Sequence, residues 1–254
     1  MDKIKNLVAL VTALFSLLSA FTQCTTEKLN KSVYDENFYC EIIDENNIAI
    51  GDLITYPESG VVFFPEQIKG YTVSKLGFPS GMGFGGNGYF TSSSNGENGT
   101  IIKRCYFPHT IKKVKSDYMT LSGHNPLKIF YCGEVTDLGG FYVSRVDNEI
   151  YVPAEKYELF KNALTTKDLG ESLLKANVSY HLNYDEDNYY YVDYYESGEK
   201  ILYIPPIPQR DGYTFGGWFK EAECINQWNF DTGTVQISED IQEIKLYAKW
   251  IAEQ

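Results

Sequence analysis

Cysteine, histidine and basic residues are all scarce in this chain of 254 residues. Five cysteines and three histidines, with no CxxC and no cysteine-histidine cluster at ligand spacing, exclude a zinc site. Beyond Cys24 the cysteines are Cys40, Cys105, Cys132 and Cys224. They are too sparse for a disulfide framework and read as buried thiols. Lys and Arg number 22 against 34 Asp and Glu, a formal charge of -12, so a nucleic acid or an anionic membrane face is repelled. His109, His124 and His181 stand in no nucleophile elbow and no two-histidine metal pattern. Gly81-Met82-Gly83-Phe84-Gly85-Gly86 satisfies G-x-G-x-x-G by letter, but no βαβ unit surrounds it, so no dinucleotide is expected. The acidic run Asp185-Glu186-Asp187-Asn188 lacks the glycine and the twelfth-position glutamate of a calcium loop, and reads as a solvated hairpin turn. The expectation is therefore no enzyme, no cofactor, no metal and no nucleic-acid partner.

What is plentiful is aromatic side chain: 21 Tyr and 15 Phe favour β-structure and leave little room for a helical bundle. The length suits two domains of ordinary size. At the start, Lys3 and Lys5 precede an uncharged run from Leu7 to Phe21 and then a polar stretch, the anatomy of a signal peptide over residues 1–23. Fifteen residues at about 1.5 Å each reach roughly 22 Å, short of the hydrocarbon core of a bilayer, so the run is not a permanent span. Cleavage after Ala20 would release a secreted chain, and cleavage before Cys24 would leave a lipid-bearing cysteine, although Phe21 and Gln23 depart from the usual lipobox. A lipid on Cys24 is then the one membrane contact expected. Residues 24–39 read as a linker.

From residue 60 to residue 153, apolar runs ending at a proline slot recur: Val61 to Pro65, Ile102 to Pro108, Leu127 to Cys132 and Ile150 to Pro153. Measured from Pro65, the slots fall 43, 25 and 20 residues apart, a period in the low twenties with one double-length step. Phe64-Pro65-Glu66-Gln67-Ile68 and Phe107-Pro108-His109-Thr110-Ile111 resemble the consensus of BspA-like leucine-rich repeats of bacterial surface proteins. Ile150-Tyr151-Val152-Pro153 with its sequel to Lys161 resembles the closing repeat of that family. The resemblance implies a short leucine-rich-repeat solenoid over residues 40–168. It is interrupted at residues 77–99, where eight glycines in 23 positions predict a surface loop with a short hairpin at Tyr89-Phe90.

Past residue 176 the text changes, with eight tyrosines between residues 178 and 203. Val178 to Tyr184, Tyr189 to Tyr195 and Ile201 to Ile204 predict strands, the last ended by Pro205, Pro206 and Pro208. Arg210-Asp211-Gly212-Tyr213-Thr214-Phe215-Gly216-Gly217-Trp218, then Trp228, then Leu246-Tyr247-Ala248-Lys249-Trp250, resemble the Listeria-Bacteroides repeat, the B-repeat of internalin-type proteins. That resemblance implies a small β-grasp-like domain over residues 176–254, used as a spacer or adhesive unit. The fold expected is mainly β (α+β): a short solenoid followed by the β-grasp-like module.

Strand alternation with Val62/Phe64, Cys105/Phe107, Phe130/Cys132 and Ile150/Val152 inward turns Phe63, Tyr106, Tyr131 and Tyr151 outward at one matching slot. Such an aromatic ladder suits an extracellular protein or glycan ligand, and equally suits cross-strand pairing that only stabilises the sheet. Cys105 and Cys132 fall on adjacent strands without facing each other, so no disulfide is expected between them. The functions left open are a monomeric surface or secreted adhesion protein, a carbohydrate-binding accessory protein, and a structural spacer.

Overall fold

The computed structural model describes residues 32–34, 36–77, 90–91, 102–114, 119–120, 127–133, 141–142, 148–163, 172–184 and 189–253. The expected signal peptide (residues 1–23), Cys24, most of the expected linker, most of the glycine-rich stretch 77–99 and the acidic run 185–188 lie outside the described residues. The protein is mainly β with little helix. In chain order the first strands are β1 (Ser32–Tyr34), β2 (Phe38–Ile42), β3 (Asn47–Leu53), β4 (Val61–Phe63), β5 (Gln67–Ile68), β6 (Tyr71–Leu76) and β7 (Phe90–Thr91). There follow β8 (Arg104–Phe107), β9 (Lys113–Val114), β10 (Met119–Thr120), β11 (Lys128–Tyr131), β12 (Phe141–Tyr142) and β13 (Glu149–Val152). A 3-10 turn (Ala154–Lys156) leads into helix α1 (Tyr157–Ala163), and β14 (Leu173–Lys175), β15 (Val178–His181), β16 (Tyr189–Asp193), β17 (Tyr213–Phe219) and β18 (Ile244–Ala252) complete the chain.

The N-terminal part winds as a coil that visits three sheets. Its first turn runs β4, β6, β7 and its second β8, β9, β10, each strand pairing in parallel with its counterpart of the turn before. The third turn contributes β11 and β12, again parallel to β8 and β10. Strands β13 and β14 extend the first of these sheets, giving the order β14-β13-β11-β8-β4. Because β4 pairs directly with β8, the 43-residue step is a single enlarged turn and not two short ones. Phe90–Thr91 sits in the third sheet beside Met119–Thr120 in parallel, and Tyr89 with the rest of the expected hairpin lies outside the described residues. Among the described residues the return segments after β4 and β8 are strands, and the one after β13 is the 3-10 turn with helix α1.

The turns are set by residues suited to them. At the β5/β6 hairpin, Lys69 and Gly70 both take positive φ (51° and 82°), the backbone that a tight two-residue turn demands. Gly133 lies where a Cβ would come within 2.6 Å of the Tyr131 hydroxyl and 2.5 Å of the Ile111 carbonyl, so the chain leaving β11 has room only for glycine.

The sheet formed by β4, β8, β11, β13 and β14 is the middle of three layers. On its inner face Val62, Phe64, Cys105, Phe107, Ile129 and Tyr131 join one core with the sheet of β2, β3 and β6. On its outer face Tyr106, Phe130 and Tyr151 join a second core, supplied by the C-terminal residues. This explains why β8, β11 and β13 are buried at three consecutive positions each: a parallel sheet covered on both sides has no solvent face to alternate towards. The cover is a mixed sheet of order β16-β15-β18-β17, with β15 and β18 parallel at its centre and antiparallel partners outside. Trp218, Trp228, Val235 and Leu246 fill its core. The expected strand at Ile201 to Ile204 forms no ladder. Instead the Tyr195 hydroxyl accepts the amide N–H groups of Leu202 (3.1 Å) and Tyr203 (3.0 Å), and Pro205 and Pro206, with no N–H of their own, follow.

Since the two parts share a core, they unfold together. A urea titration followed by tryptophan fluorescence, which reports the C-terminal sheet, and by far-ultraviolet circular dichroism is expected to give coincident transitions. The Tyr191 hydroxyl donates to the Phe64 carbonyl across the interface at 2.7 Å. Tyr191→Phe should lower stability by about 1 to 2 kcal/mol and Tyr191→Ala by about 3 to 5 kcal/mol. Separate transitions by the two probes would show the halves to be independent.

Candidate functional site

An aromatic ladder exists, but its membership and its environment differ from those expected. Phe63 stacks on Tyr106 with ring centroids 4.2 Å apart, Tyr106 on Phe130 at 4.5 Å, and Phe130 on Tyr151 at 5.0 Å, all within 11° of parallel. Tyr194 continues the row at 4.9 Å from Tyr151. Tyr131 is not in it: it points into the inner core, edge-on to Phe160, with its hydroxyl donating to the Ile111 carbonyl at 3.3 Å. The cause is a one-residue slip in register. Tyr131 pairs with Phe107, so Cys132 occupies the slot held by Pro108 in the neighbouring strand, and the steps are 24 and 21 residues in place of 25 and 20. A slip of one residue exchanges the faces of a whole strand.

Nor is the ladder a free surface. Tyr106 is 1% exposed, Tyr131 0% and Tyr151 3%, with Phe63 half-buried. Tyr191 stands edge-on to Phe63 at 5.3 Å, so β16 lies across the row. The outward orientation inferred from alternation is therefore corrected: the face points away from the first core and into the second. Phe63, Tyr106 and Tyr151, with Phe130 in the place expected for Tyr131, pack the two parts against each other, while Tyr131 belongs to the inner core alone.

At the centre of that contact lies a buried ion pair. Arg104, at the start of β8, meets Asp193, at the end of β16, at 2.5 Å, and the Asp193 side chain is fully buried. The Tyr106 hydroxyl donates to the other carboxylate oxygen at 3.0 Å, and the Tyr194 amide donates at 2.8 Å. The guanidinium also lies over the rings of Phe130 (4.5 Å) and Tyr203 (4.6 Å). Burial raises the Asp193 carboxyl, while Arg104 and the donors from Tyr194, Tyr195 and Tyr106 pull it down. Burial prevails, and the group is pushed up to about 6. Arg104 behaves oppositely. Its own burial is outweighed by the charge of Asp193 and by Tyr106, so it stays firmly protonated.

Cys105 and Cys132 are buried thiols, pushed well above the usual range by burial, which leaves little thiolate for chemistry. Cys132 donates to the Phe107 carbonyl at 3.2 Å and to the Tyr190 carbonyl at 3.5 Å. His109 lies 3.1 Å from Glu66, and His181 lies 2.9 Å from the Ser179 hydroxyl between the rings of Tyr189 and Tyr247. Ser179 itself is fully buried. Among the described residues no group of three acidic, histidine or cysteine side chains is placed to hold a metal ion.

Two exposed features lie in the C-terminal part. One is the extended segment past β16, where Leu202, Ile204 and Ile207 are exposed while Ile201, Pro205 and Pro208 are buried. The other is a group of rings around Arg210. Its guanidinium carbon lies 3.9 Å from the centre of Tyr213, 4.8 Å from Tyr184 and 5.8 Å from Trp250. The turn Arg210-Asp211-Gly212-Tyr213 is closed by the Tyr213 amide donating to the Arg210 carbonyl at 3.1 Å, with Gly212 at φ +75°. Trp250 is fixed by its indole N–H donating to the Leu182 carbonyl at 2.5 Å. Arg210 and Tyr213 stand in the repeat-like text of the tail, but Tyr184 is 26 residues before Arg210, and no spacing signals that they meet.

The pair Arg104–Asp193 sets two expectations. Arg104→Met leaves a buried carboxylate without its counter-ion and should cost about 3 to 5 kcal/mol at neutral pH, while adding Asp193→Leu should restore much of it. A double-mutant cycle in urea measures this. Since folding raises the Asp193 value, the folded chain holds that proton more tightly than the unfolded chain. Its contribution is thus full below about pH 4 and is lost as pH rises through about 6. The stability of the wild type relative to Asp193→Asn should fall between those limits, and a difference that grew with pH would show the carboxyl to be held low.

Comparison with known proteins gives two likenesses. A stretch of 50 residues, 20% of this chain, is 34% identical to 5% of a much longer protein of Evansella cellulosilytica described as a Gly-rich membrane protein. Residues 177–249, which hold the whole C-terminal sheet up to Lys249, match the Listeria-Bacteroides repeat domain.

Proposed function

We propose that the protein is a surface-associated, non-enzymatic binding protein of a bacterium, exported by residues 1–23 and either released or held by a lipid on Cys24. The observation that carries this reading is the Listeria-Bacteroides repeat at residues 177–249, and the membrane protein of Evansella cellulosilytica gives it a second, weaker support. The coil of residues 40–168 serves as a repeat platform of the BspA-like kind. Its strands stack in parallel at steps of 24 and 21 residues after the enlarged first turn, which supports a repeating unit without requiring a leucine consensus. The sheet order β16-β15-β18-β17 around a parallel central pair supports the β-grasp-like reading of the repeat module.

The module does more than hold the coil at a distance. Because β16 covers the outer face of the coil, a ligand of this protein meets an assembled surface made of both parts, as a monomer, and not the aromatic row. A carbohydrate-binding role is the second reading, favoured by the exposed rings of Tyr184 and Tyr213 beside Arg210 and no longer by the buried ladder.

Localisation is tested by expressing the full chain with its own leader in a Gram-negative host, with membrane fractionation, protease shaving and metabolic labelling with palmitate. The expected result is a protease-accessible chain outside the cytoplasm. Label lost in Cys24→Ala identifies a lipoprotein, and unlabelled chain in the medium identifies simple secretion. A chain that keeps its leader and stays in the cytoplasm would overturn the reading.

A further inference from the structure

We propose that Arg210, seated on the rings of Tyr213, Tyr184 and Trp250, is a docking point for the carboxylate of an acidic sugar, a uronic acid residue of a glycan. The inference deepens the binding role proposed above and rests on it for the setting in which the sugar would be met.

The two described arginines differ in their surroundings. Arg104 is largely buried and neutralised by Asp193. Arg210 is half-buried, and among the described residues no carboxylate forms an ion pair with it, in a chain with twelve more acidic than basic residues. What holds it is aromatic: one guanidinium lies within 6 Å of three ring centres. A ring contact occupies the flat face of a guanidinium and leaves the N–H donors around its rim, which form the fork that takes a carboxylate through two parallel hydrogen bonds.

The rings argue for a sugar over a simple acid. Tyr184 is 37% exposed and Tyr213 36%, so both keep part of their surface open to solvent. Aromatic surface matches the apolar C–H face of a pyranose, which a carboxylate on a flexible side chain lacks. The site is also pre-ordered. The Arg210–Tyr213 turn is closed by its own hydrogen bond, the Gly212 carbonyl accepts the Glu253 amide at 3.0 Å, and Trp250 is fixed through Leu182. Little conformational freedom is then lost when a small ligand arrives. The overall negative charge makes a long polyanion a poor ligand at low salt, which restricts the site to one uronate at a time.

The test uses the mature chain, residues 24–254, in two-dimensional amide NMR with three probes: methyl glucuronide, methyl glucoside and acetate. Methyl glucuronide is expected to shift the amides of residues 210–215 with a millimolar dissociation constant, and the glucoside and acetate to bind at least about tenfold more weakly. Arg210→Lys keeps the charge and loses the fork, and should weaken glucuronide binding by about tenfold. Tyr213→Leu should do the same through the lost ring, and unchanged amide positions around Tyr106 and Tyr191 show that both variants remain folded. Equal binding of glucoside or of acetate, no shifts at about 20 mM glucuronide, or an unweakened Arg210→Lys would each overturn the proposal. Neither result depends on export: a surface chain blind to glucuronide loses this site alone, and a cytoplasmic chain that binds it loses the surface reading alone.

Discussion

The structure depends on one constraint: its middle sheet must be covered on both faces. Strands β8, β11 and β13 carry bulky apolar or aromatic side chains at consecutive positions, and such strands are stable only between two apolar layers. The coil supplies one layer from its own β2, β3 and β6. The other comes from β16 of the repeat module, whose five residues are all buried. The repeat module is therefore a structural half of the protein and not a bead on a string.

That contact joins three kinds of interaction. The stacked rings from Phe63 to Tyr151 contribute apolar area, the edge-on ring of Tyr191 fixes the position of β16 across them, and the Arg104–Asp193 pair fixes its register. A buried ion pair adds little net stability over apolar residues of the same volume. It does penalise every other alignment, because a shifted β16 would leave a charge buried alone. The raised carboxyl of Asp193 records that cost: the sheet contact holds the charge in place at the expense of its solvation.

Much of this was legible in the sequence, and the failures have physical causes. The proline slots gave the strands of the middle sheet, since proline ends a strand wherever it falls. They failed at the third strand, where Cys132 fills the slot and the glycine next to it is required for a different reason, the closeness of the Tyr131 ring. A period of two makes such a slip total, which is how Tyr131 and Phe130 exchanged faces. Alternation could separate the two faces of the sheet. It could not say that the outer one is dry, because its cover lies up to 127 residues away in the chain. The Arg210 group leaves no mark in the sequence for a related reason: its members come from the turn into β17, β17 itself, β18 and the loop after β15, and only the mixed sheet order brings them together.

The covering of the ladder has a consequence for the order in which the protein can be built. The bonds that close the interface join residues 89 and 127 positions apart, Arg104 to Asp193 and Phe64 to Tyr191. Contacts so distant along the chain slow folding, because the loop between them must close before they reward it. A chain that emerges from its N-terminus leaves a row of phenylalanine and tyrosine rings bare until the tyrosines of β16 follow. For that interval those rings are the surface most open to wrong contacts, and a chaperone that attends this protein would have its work fixed at that one face.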